Sequence, residues 1–162
     1  PSLASTSMEQ GRASACHAFG KEYAGADSNH PYGVYAVPEL SSVGLTEQQV
    51  QERGIPYECG VARFRETSRG HIMGTGSGIL KLVCEQGSGK LLGVRIIGEG
   101  ASELIHIGQA VIALGGTVDY LVENCFNYPT LAEAYKIAAL DIWNRLQLGV
   151  RSEQPERLAR FG

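Results

Sequence analysis

Apolar and polar positions follow two different rhythms along this chain. Ile79-Leu80-Lys81-Leu82-Val83-Cys84 and Leu91-Leu92-Gly93-Val94-Arg95-Ile96-Ile97 are short, dense apolar runs, and their β-branched content predicts two strands. Gln86-Gly87-Ser88-Gly89-Lys90 separates them with turn residues. A parallel pair would need a longer crossover, so the spacing predicts an antiparallel hairpin. Tyr57 to Phe64 alternates weakly and predicts a further strand, and Tyr35 to Val37 a short one before Pro38. From residue 101 the period lengthens. Leu104, Ile105, Ile107, Gly108, Val111 and Ile112 mark a helix that Ser102 would cap and Gly115-Gly116 would stop. Val118 to Val122 predicts a short helix. Leu131, Ala134, Ile137, Ala138, Ile142 and Leu146 line one face of a last helix, opened by Thr130 with Glu133 three positions on as a capping box. Thr46-Glu47-Gln48-Gln49 is a second capping box, and its helix ends near Gly54. The pattern predicts an α+β domain, an antiparallel sheet of four or five strands with the helices beginning near Ala101 and Thr130 packed on one face.

Four segments follow. Residues 1–22 predict a helix with partial apolar periodicity at Leu3, Met8, Ala15 and Phe19, capped by Ser2 or Ser5 and stopped by Gly20. Residues 23–34 form a connection rich in Gly25, Asp27, Ser28, Asn29, Pro31 and Gly33. Residues 35–146 are the main body, and 147–162 a polar tail. A helix this near residue 1, with no strand before it, reads as cut from something larger.

Composition narrows the field. The chain has 162 residues, 43% of them hydrophobic, which fits a packed domain. Fourteen Lys plus Arg against 17 Asp plus Glu leave a net charge of -3, without the basic footprint that nucleic acid requires. No apolar run is long enough to span a membrane and no secretory signal is visible; the expected location is cytoplasmic. Charged residues are only 19% and glycines number 21, a weakly charged surface that suits burial against a partner. Cys16, Cys59, Cys84 and Cys125 show no C-x-x-C, and His17, His30, His71 and His106 show no zinc pattern. The cysteines are therefore expected to be free and largely buried, and no metal site is expected. Gly74-Thr75-Gly76-Ser77-Gly78 and Gly87-Ser88-Gly89-Lys90 lack the spacing of nucleotide loops and read as turns. Up to this point the residues describe an α+β domain with no stated task.

Three stretches are more specific: Pro38-Glu39-Leu40-Ser41-Ser42-Val43-Gly44 with Leu45-Thr46-Glu47, then Ala101-Ser102-Glu103-Leu104-Ile105-His106-Ile107-Gly108-Gln109-Ala110, then Phe126-Asn127-Tyr128-Pro129-Thr130-Leu131-Ala132-Glu133-Ala134. In this order they resemble the C-terminal dimerisation domain of FAD-dependent pyridine nucleotide-disulfide oxidoreductases, over about residues 31–146. Residues 1–20 resemble the last helix of that family's FAD domain. The FAD and NAD fingerprints themselves are absent, so the resemblance implies a C-terminal fragment of a chain about three times longer.

The resemblance also implies roles. The family carries a His-Pro-Thr and a Glu five residues after the His, an acid/base pair for thiol-disulfide exchange. Here Tyr128 stands at the His position, before Pro129 and Thr130, and Glu133 keeps the Glu position. A phenol ordinarily titrates near pH 10 and is a poor base at neutral pH. The segment is most similar to the family's transhydrogenase branch, which passes reducing equivalents from NADPH through FAD to NAD+ without a disulfide. The implied roles are subunit pairing in a homodimer and a wall of the partner's flavin site at Tyr128 and Pro129, with Leu3 and Ala4 facing the flavin of the same chain. On this reading no residue of the fragment is catalytic, Tyr128 and Glu133 are structural, the fragment alone binds no FAD and is inactive, and neither nucleic acid nor membrane is a partner. A fragment of dihydrolipoyl dehydrogenase or another disulfide reductase, and a non-catalytic interaction domain, are the alternatives. His106 is expected to be a surface or interface histidine. Gly108 allows either a close helix approach or ordinary packing.

Overall fold

The structure is a computed structural model and describes residues 3–23 and 29–153, with side chains to residue 146. The chain divides into two compact units, Pro1–His30 and Pro31–Gly162.

The first unit is a helix, α1 (Ala4–Ala18). Leu3 occupies its N-cap in an extended conformation, and no side chain caps it. Ser5 lies inside the helix instead of capping it, and Ser2 lies outside the described residues. The helix ends four residues before the predicted limit. Gly20 turns left-handed at φ +63°, and the Lys21 N–H bonds back to the Cys16 carbonyl at 2.8 Å. This closes the last turn in the manner of a glycine C-cap. The Tyr23 hydroxyl donates to the Glu9 carboxylate.

The second unit holds the sheet. Its strands are β1 (Tyr32–Val34), β2 (Leu40–Gly44), β3 (Tyr57–Arg63), β4 (Ile79–Glu85) and β5 (Leu91–Ile97). They lie in the order β1-β2-β5-β4-β3, and every neighbouring pair is antiparallel. The hairpin of β4 and β5 is its centre, as the turn spacing predicts. Two strands depart from the pattern. β1 lies three residues before the predicted Tyr35–Val37, because Tyr32 and Val34 find partners in Ser42 and Leu40. β2 itself reads poorly, since Ser41 and Ser42 interrupt its apolar positions. Ser41 is buried and donates to the Tyr32 carbonyl at 3.0 Å, which satisfies the hydroxyl there.

Alternation decides which face is covered. Val43, Ala62, Leu80, Leu82, Val94 and Ile96 are buried on one face. Over them pack α4 (Ala101–Ala113) and α6 (Glu133–Glu153), with α5 (Val118–Glu123) beside α6. Ile105 and Val111 of α4, and Ala134, Tyr135, Ala138, Ala139 and Ile142 of α6, complete the cluster. The short α2 (Glu47–Glu52) borders the other face, where Glu47 meets Lys81 and Cys59. Thr46 caps α2 with both bonds of the predicted box present. The remainder of that face leaves Tyr32, Val34, Leu40, Ile79 and Ile97 exposed.

Two glycines set how closely the helices approach. A Cβ at Gly60 would stand 2.0 Å from the Ala138 carbonyl oxygen, so α6 rests directly on β3. From there Asp141 accepts the Val61 N–H at 3.1 Å and Arg145 donates to the Cys59 carbonyl at 2.5 Å. Two polar groups at the sheet edge are thereby covered by helix side chains. On the other helix, the buried Tyr135 hydroxyl accepts from the Gly108 N–H at 3.1 Å and donates to the Leu104 carbonyl at 2.8 Å. A Cβ at Gly108 would stand 2.5 Å from Val94 Cγ2 and 3.0 Å from that hydroxyl. Gly108 is therefore a position of close approach.

Removing the Tyr135 hydroxyl leaves the bond between the two helices unmade inside the core. Tyr135→Phe is expected to lower unfolding stability by about 1–3 kcal/mol in urea denaturation. Gly108→Ala is expected to cost at least as much, because it overpacks the same spot. A Tyr135→Phe midpoint indistinguishable from the parent would show that the hydroxyl bond does not hold α4 to α6.

Candidate functional site: the turn before the last helix

The turn between α5 and α6 carries Tyr128, Pro129 and Glu133, and backbone bonds shape it from both ends. The Asn124 side chain donates to the Tyr120 carbonyl at 2.7 Å, and Lys136 reaches back to the Asn124 carbonyl at 2.9 Å. The Thr130 hydroxyl donates to the Asn127 carbonyl at 2.7 Å. Glu133 accepts the Thr130 N–H at 3.3 Å. Only this half of the predicted box is present, and α6 starts at Glu133 itself, which leaves Thr130 outside the N-cap position. The Tyr128–Pro129 peptide is cis.

Tyr128 is 72% exposed, so its ring belongs to the surface. Its hydroxyl is nevertheless engaged, 2.5 Å from the Ser68 hydroxyl. Ser68 opens α3 (Ser68–Met73), an element the apolar pattern does not show, because one Ile and one Met are all it offers. α3 is set by chemistry next to it. Phe64, fully buried, begins a short 3-10 turn. The Thr67 hydroxyl donates to the Phe64 carbonyl at 2.8 Å and accepts from the Gly70 N–H at 3.0 Å. The Thr67 cap, with Gly70 and Gly74 after it, is the signal that would have found this helix.

Beside the turn lies a cleft of about 590 Å3, lined among others by Glu39, Arg69, Glu99, Glu103, Pro129 and Thr130. Glu39 is not a bystander. Its carboxylate accepts both the N–H of Ser102, at 3.1 Å, and the Ser102 hydroxyl, at 2.7 Å. Ser102 therefore does not cap α4 with its own oxygen. Gly100 is the N-cap residue, and the acceptor comes from 63 residues upstream. These bonds favour the ionised carboxylate and hold the Glu39 carboxyl below its ordinary value.

The glycine-rich segments form no phosphate cradle. Gly74 to Gly78 is the turn from α3 into β4, and Gly87 to Lys90 lies in the β4–β5 hairpin. Gly98-Glu99-Gly100 does join β5 to α4, but the Ser102 N–H in that helix's first turn is already given to Glu39. Among the described residues no group of three or more His, Cys, Asp or Glu is placed to hold a metal ion. Cys84 is buried, Cys16 and Cys59 are half-buried and Cys125 is exposed, so the thiols are free but less buried than expected. Burial, with Glu47 beside it, pushes the Cys59 thiol up to about 12. Burial pushes Cys84 up to about 11. Neither is a ready nucleophile at neutral pH. His106 is exposed and pairs with Gln109 at 2.8 Å. Leu3 and Ala4 stand at the N-terminus of α1, in the first unit.

A five-stranded antiparallel sheet under two long helices, with a held but exposed Tyr-Pro turn leading into the second, defines an α+β domain built to present surface. The family described as pyridine nucleotide-disulphide oxidoreductase, dimerisation domain, matches residues 30–139. The chain belongs to that family. A soluble pyridine nucleotide transhydrogenase of Mycobacterium tuberculosis (strain ATCC 25177 / H37Ra) is 54% identical over 147 residues, covering 91% of this chain and 31% of the relative. One from Marinomonas sp. (strain MWYL1) is 45% identical over 149 residues, 90% of this chain and 32% of the relative. The chain thus spans about a third of the length of these relatives. Among solved structures, LpdA from Mycobacterium tuberculosis shares the fold at a TM-score of 0.78 and 24% identity, over 85% of this chain and 30% of that one. The HOCl-induced flavoprotein disulfide reductase RclA from Escherichia coli shares it at 0.74 and 24%, over 80% and 30%.

The Glu39 cap gives a pH test. Its folded value lies below its unfolded one, so its contribution is present above the ordinary carboxylate range and disappears as pH falls through the depressed folded value. Glu39→Gln is expected to melt below the parent at pH 7, with the gap closing as pH falls below about 4. A gap of equal size at pH 7 and pH 3 would mean that charge on Glu39 contributes nothing to the cap.

Proposed function

We propose that this chain is the C-terminal part of a soluble, cytoplasmic, FAD-dependent NAD(P)+ transhydrogenase, in which it joins two subunits and forms one wall of the partner's flavin site. The observation that carries this reading is Tyr128 in the family's His position, solvent-facing and with its hydroxyl occupied by Ser68. An acid/base residue needs its ionisable group free to meet the substrate. Tyr128 offers a ring instead. Sequence relatives that are named transhydrogenases, at 54% and 45% identity, support the same assignment. The likeness to RclA, at 24% identity, is one of fold and does not weigh between the two readings; what disfavours disulfide chemistry is a phenol where the family carries an imidazole. Among the described residues no helix is long and apolar enough to cross a membrane.

The residues fit a flavin as wall and not as cradle. The described segments hold no glycine-rich strand-to-helix loop with open N–H groups for a pyrophosphate. They do hold an exposed aromatic on a braced turn. FAD, when bound in the whole enzyme, supplies the carrier that takes a hydride from NADPH and hands it to NAD+. Tyr128 and Pro129 present a flat apolar surface to the ring and exclude water from it. Glu133 shapes the turn by holding the Thr130 N–H. Leu3 and Ala4 bring the unpaired N–H groups of the α1 start toward the flavin of their own subunit, where a helix N-terminus favours negative charge. Pairing draws on exposed apolar side chains of the helical layer, among them Leu114, Tyr120, Leu140 and Trp143. A lasting homodimer face of this kind buries roughly 2,000 Å2 or more in total.

The chain on its own is expected to purify colourless and to transfer no hydride from NADPH to a nicotinamide analogue. Stoichiometric bound flavin would refute the wall reading. Light scattering over a concentration series is expected to show a dimer by ~100 μM, an affinity typical of weak pairing; a strict monomer there would assign the pairing surface to other parts of the enzyme. In the whole enzyme, Tyr128→Phe is expected to keep turnover within about fivefold with an unmoved pH profile. A loss of about a hundredfold or more would mean that the hydroxyl transfers a proton.

A further inference from the structure

An exposed aromatic ring on a turn ordinarily samples several rotamers, and fixing it costs entropy at the moment something binds. Tyr128 is exposed but not free. Its hydroxyl is joined to Ser68, 60 residues away in sequence. The anchor is itself braced. Thr67 beside it is buried and bonded twice, to the Phe64 carbonyl and from the Gly70 N–H. Phe64 is wedged so closely that a Cβ at Gly78 would stand 2.0 Å from its ring. A Cβ at Gly70 would stand 1.9 Å from the Phe64 carbonyl oxygen. The first turn of α3 is therefore closely packed on Phe64 and bonded through Thr67, which makes Ser68 a well-braced anchor at the surface. The other bonds of the turn, from Thr130, Glu133 and Lys136, hold its backbone. Only Ser68 holds the ring among the bonds described.

We propose that Ser68 is a positioning residue: it ties the Tyr128 hydroxyl to the start of α3, so that the ring would meet the partner's flavin already ordered. This rests on the reading of Tyr128 as a flavin wall. The ordering entropy is then met during folding and not during assembly of the site. The arrangement also explains why a tyrosine serves here where a phenylalanine would supply equal apolar surface: the hydroxyl is the handle by which the ring is held.

The test has two arms. In the 162-residue chain, Ser68→Ala and Tyr128→Phe are each expected to speed hydrogen exchange of the amides at 126–131 by about tenfold, the loss of one hydrogen bond. The double variant is expected to exchange no faster than either single one, and Ser68→Thr to behave as the parent. An unchanged Ser68→Ala, or effects that multiply in the double variant, overturns the tie. In the FAD-loaded whole enzyme, Tyr128→Ala is expected to change flavin emission at least about twofold, because a tyrosine ring in contact quenches an excited flavin. Ser68→Ala is expected to shift emission in the same direction, and Ser68→Thr to restore it, a readout that simple loop stabilisation would not move. If Tyr128→Ala changes emission and Ser68→Ala does not, the positioning role is wrong while the flavin wall stands. If neither changes emission, the wall reading fails and the purpose assigned to Ser68 fails with it.

Discussion

The Tyr135 hydroxyl is the bond on which the helical layer depends. It sits between the Gly108 N–H and the Leu104 carbonyl, donor and acceptor four residues apart on one turn of α4. A helix normally pairs such groups with each other. Here the Tyr135 hydroxyl from α6 bonds to both as well, so the second helix is tied into the ladder of the first. Burial gives this bond its weight. Tyr135 has no exposed surface, and the loss of solvent pushes its phenol well above the ordinary range, which keeps it a neutral donor at any working pH. A neutral hydroxyl can satisfy both groups at once. Gly108 is the counterpart, since any side chain there would occupy the space that the hydroxyl and Val94 fill.

The position of the turn at Tyr128 follows from that clamp. α6 is held at its first full turn by Tyr135 and further on by its close seat on Gly60 and by Asp141 and Arg145, which bond to the Val61 N–H at 3.1 Å and the Cys59 carbonyl at 2.5 Å. The last helix therefore has little freedom to slide, and neither has the turn that enters it. From the other side, Glu39 fixes the start of α4 and Thr67 the start of α3, where Ser68 meets Tyr128. Three helix beginnings thus converge around Pro129, each fixed by a polar contact made by a residue distant in sequence or by a local cap. Under the proposed function, a surface that meets a ring in another subunit gains from such support, because disorder at the turn would oppose binding.

The sequence revealed those features whose cause is local. The β4–β5 hairpin, the α2 capping box, the glycine stops at Gly20 and Gly115 and the apolar stripe of α6 all depend on residues within a few positions of one another. What escaped has a distant cause. Ser102 looked like a cap and is instead a donor to Glu39, which only the fold brings near. β2 hid behind Ser41 and Ser42, and the burial of Ser41 is reconciled with its polarity by a bond to β1. α3 is too short to carry a period and is held by Thr67 and Phe64. For the candidate site, Tyr128, Pro129 and Glu133 were found because they stand in a recognisable motif. Ser68 was not, because nothing in Thr67-Ser68-Arg69-Gly70 says what lies across from it.

Cys59 and Cys84 sit in surroundings that quiet a thiol. Disulfide exchange needs a thiolate and a base to make it. The environments of Cys59 and Cys84 raise their thiols, Cys59 through burial and the carboxylate of Glu47, Cys84 through burial, and so favour the protonated, inert form. Glu47 in turn is held ionised by Lys81, so it stabilises the sheet's second face and has no proton to exchange at neutral pH. These thiols and that carboxylate serve packing and charge balance. The turn at Tyr128 contributes a fixed shape. Under the proposed function such a domain leaves electron transfer to the bound flavin and supplies shape around it.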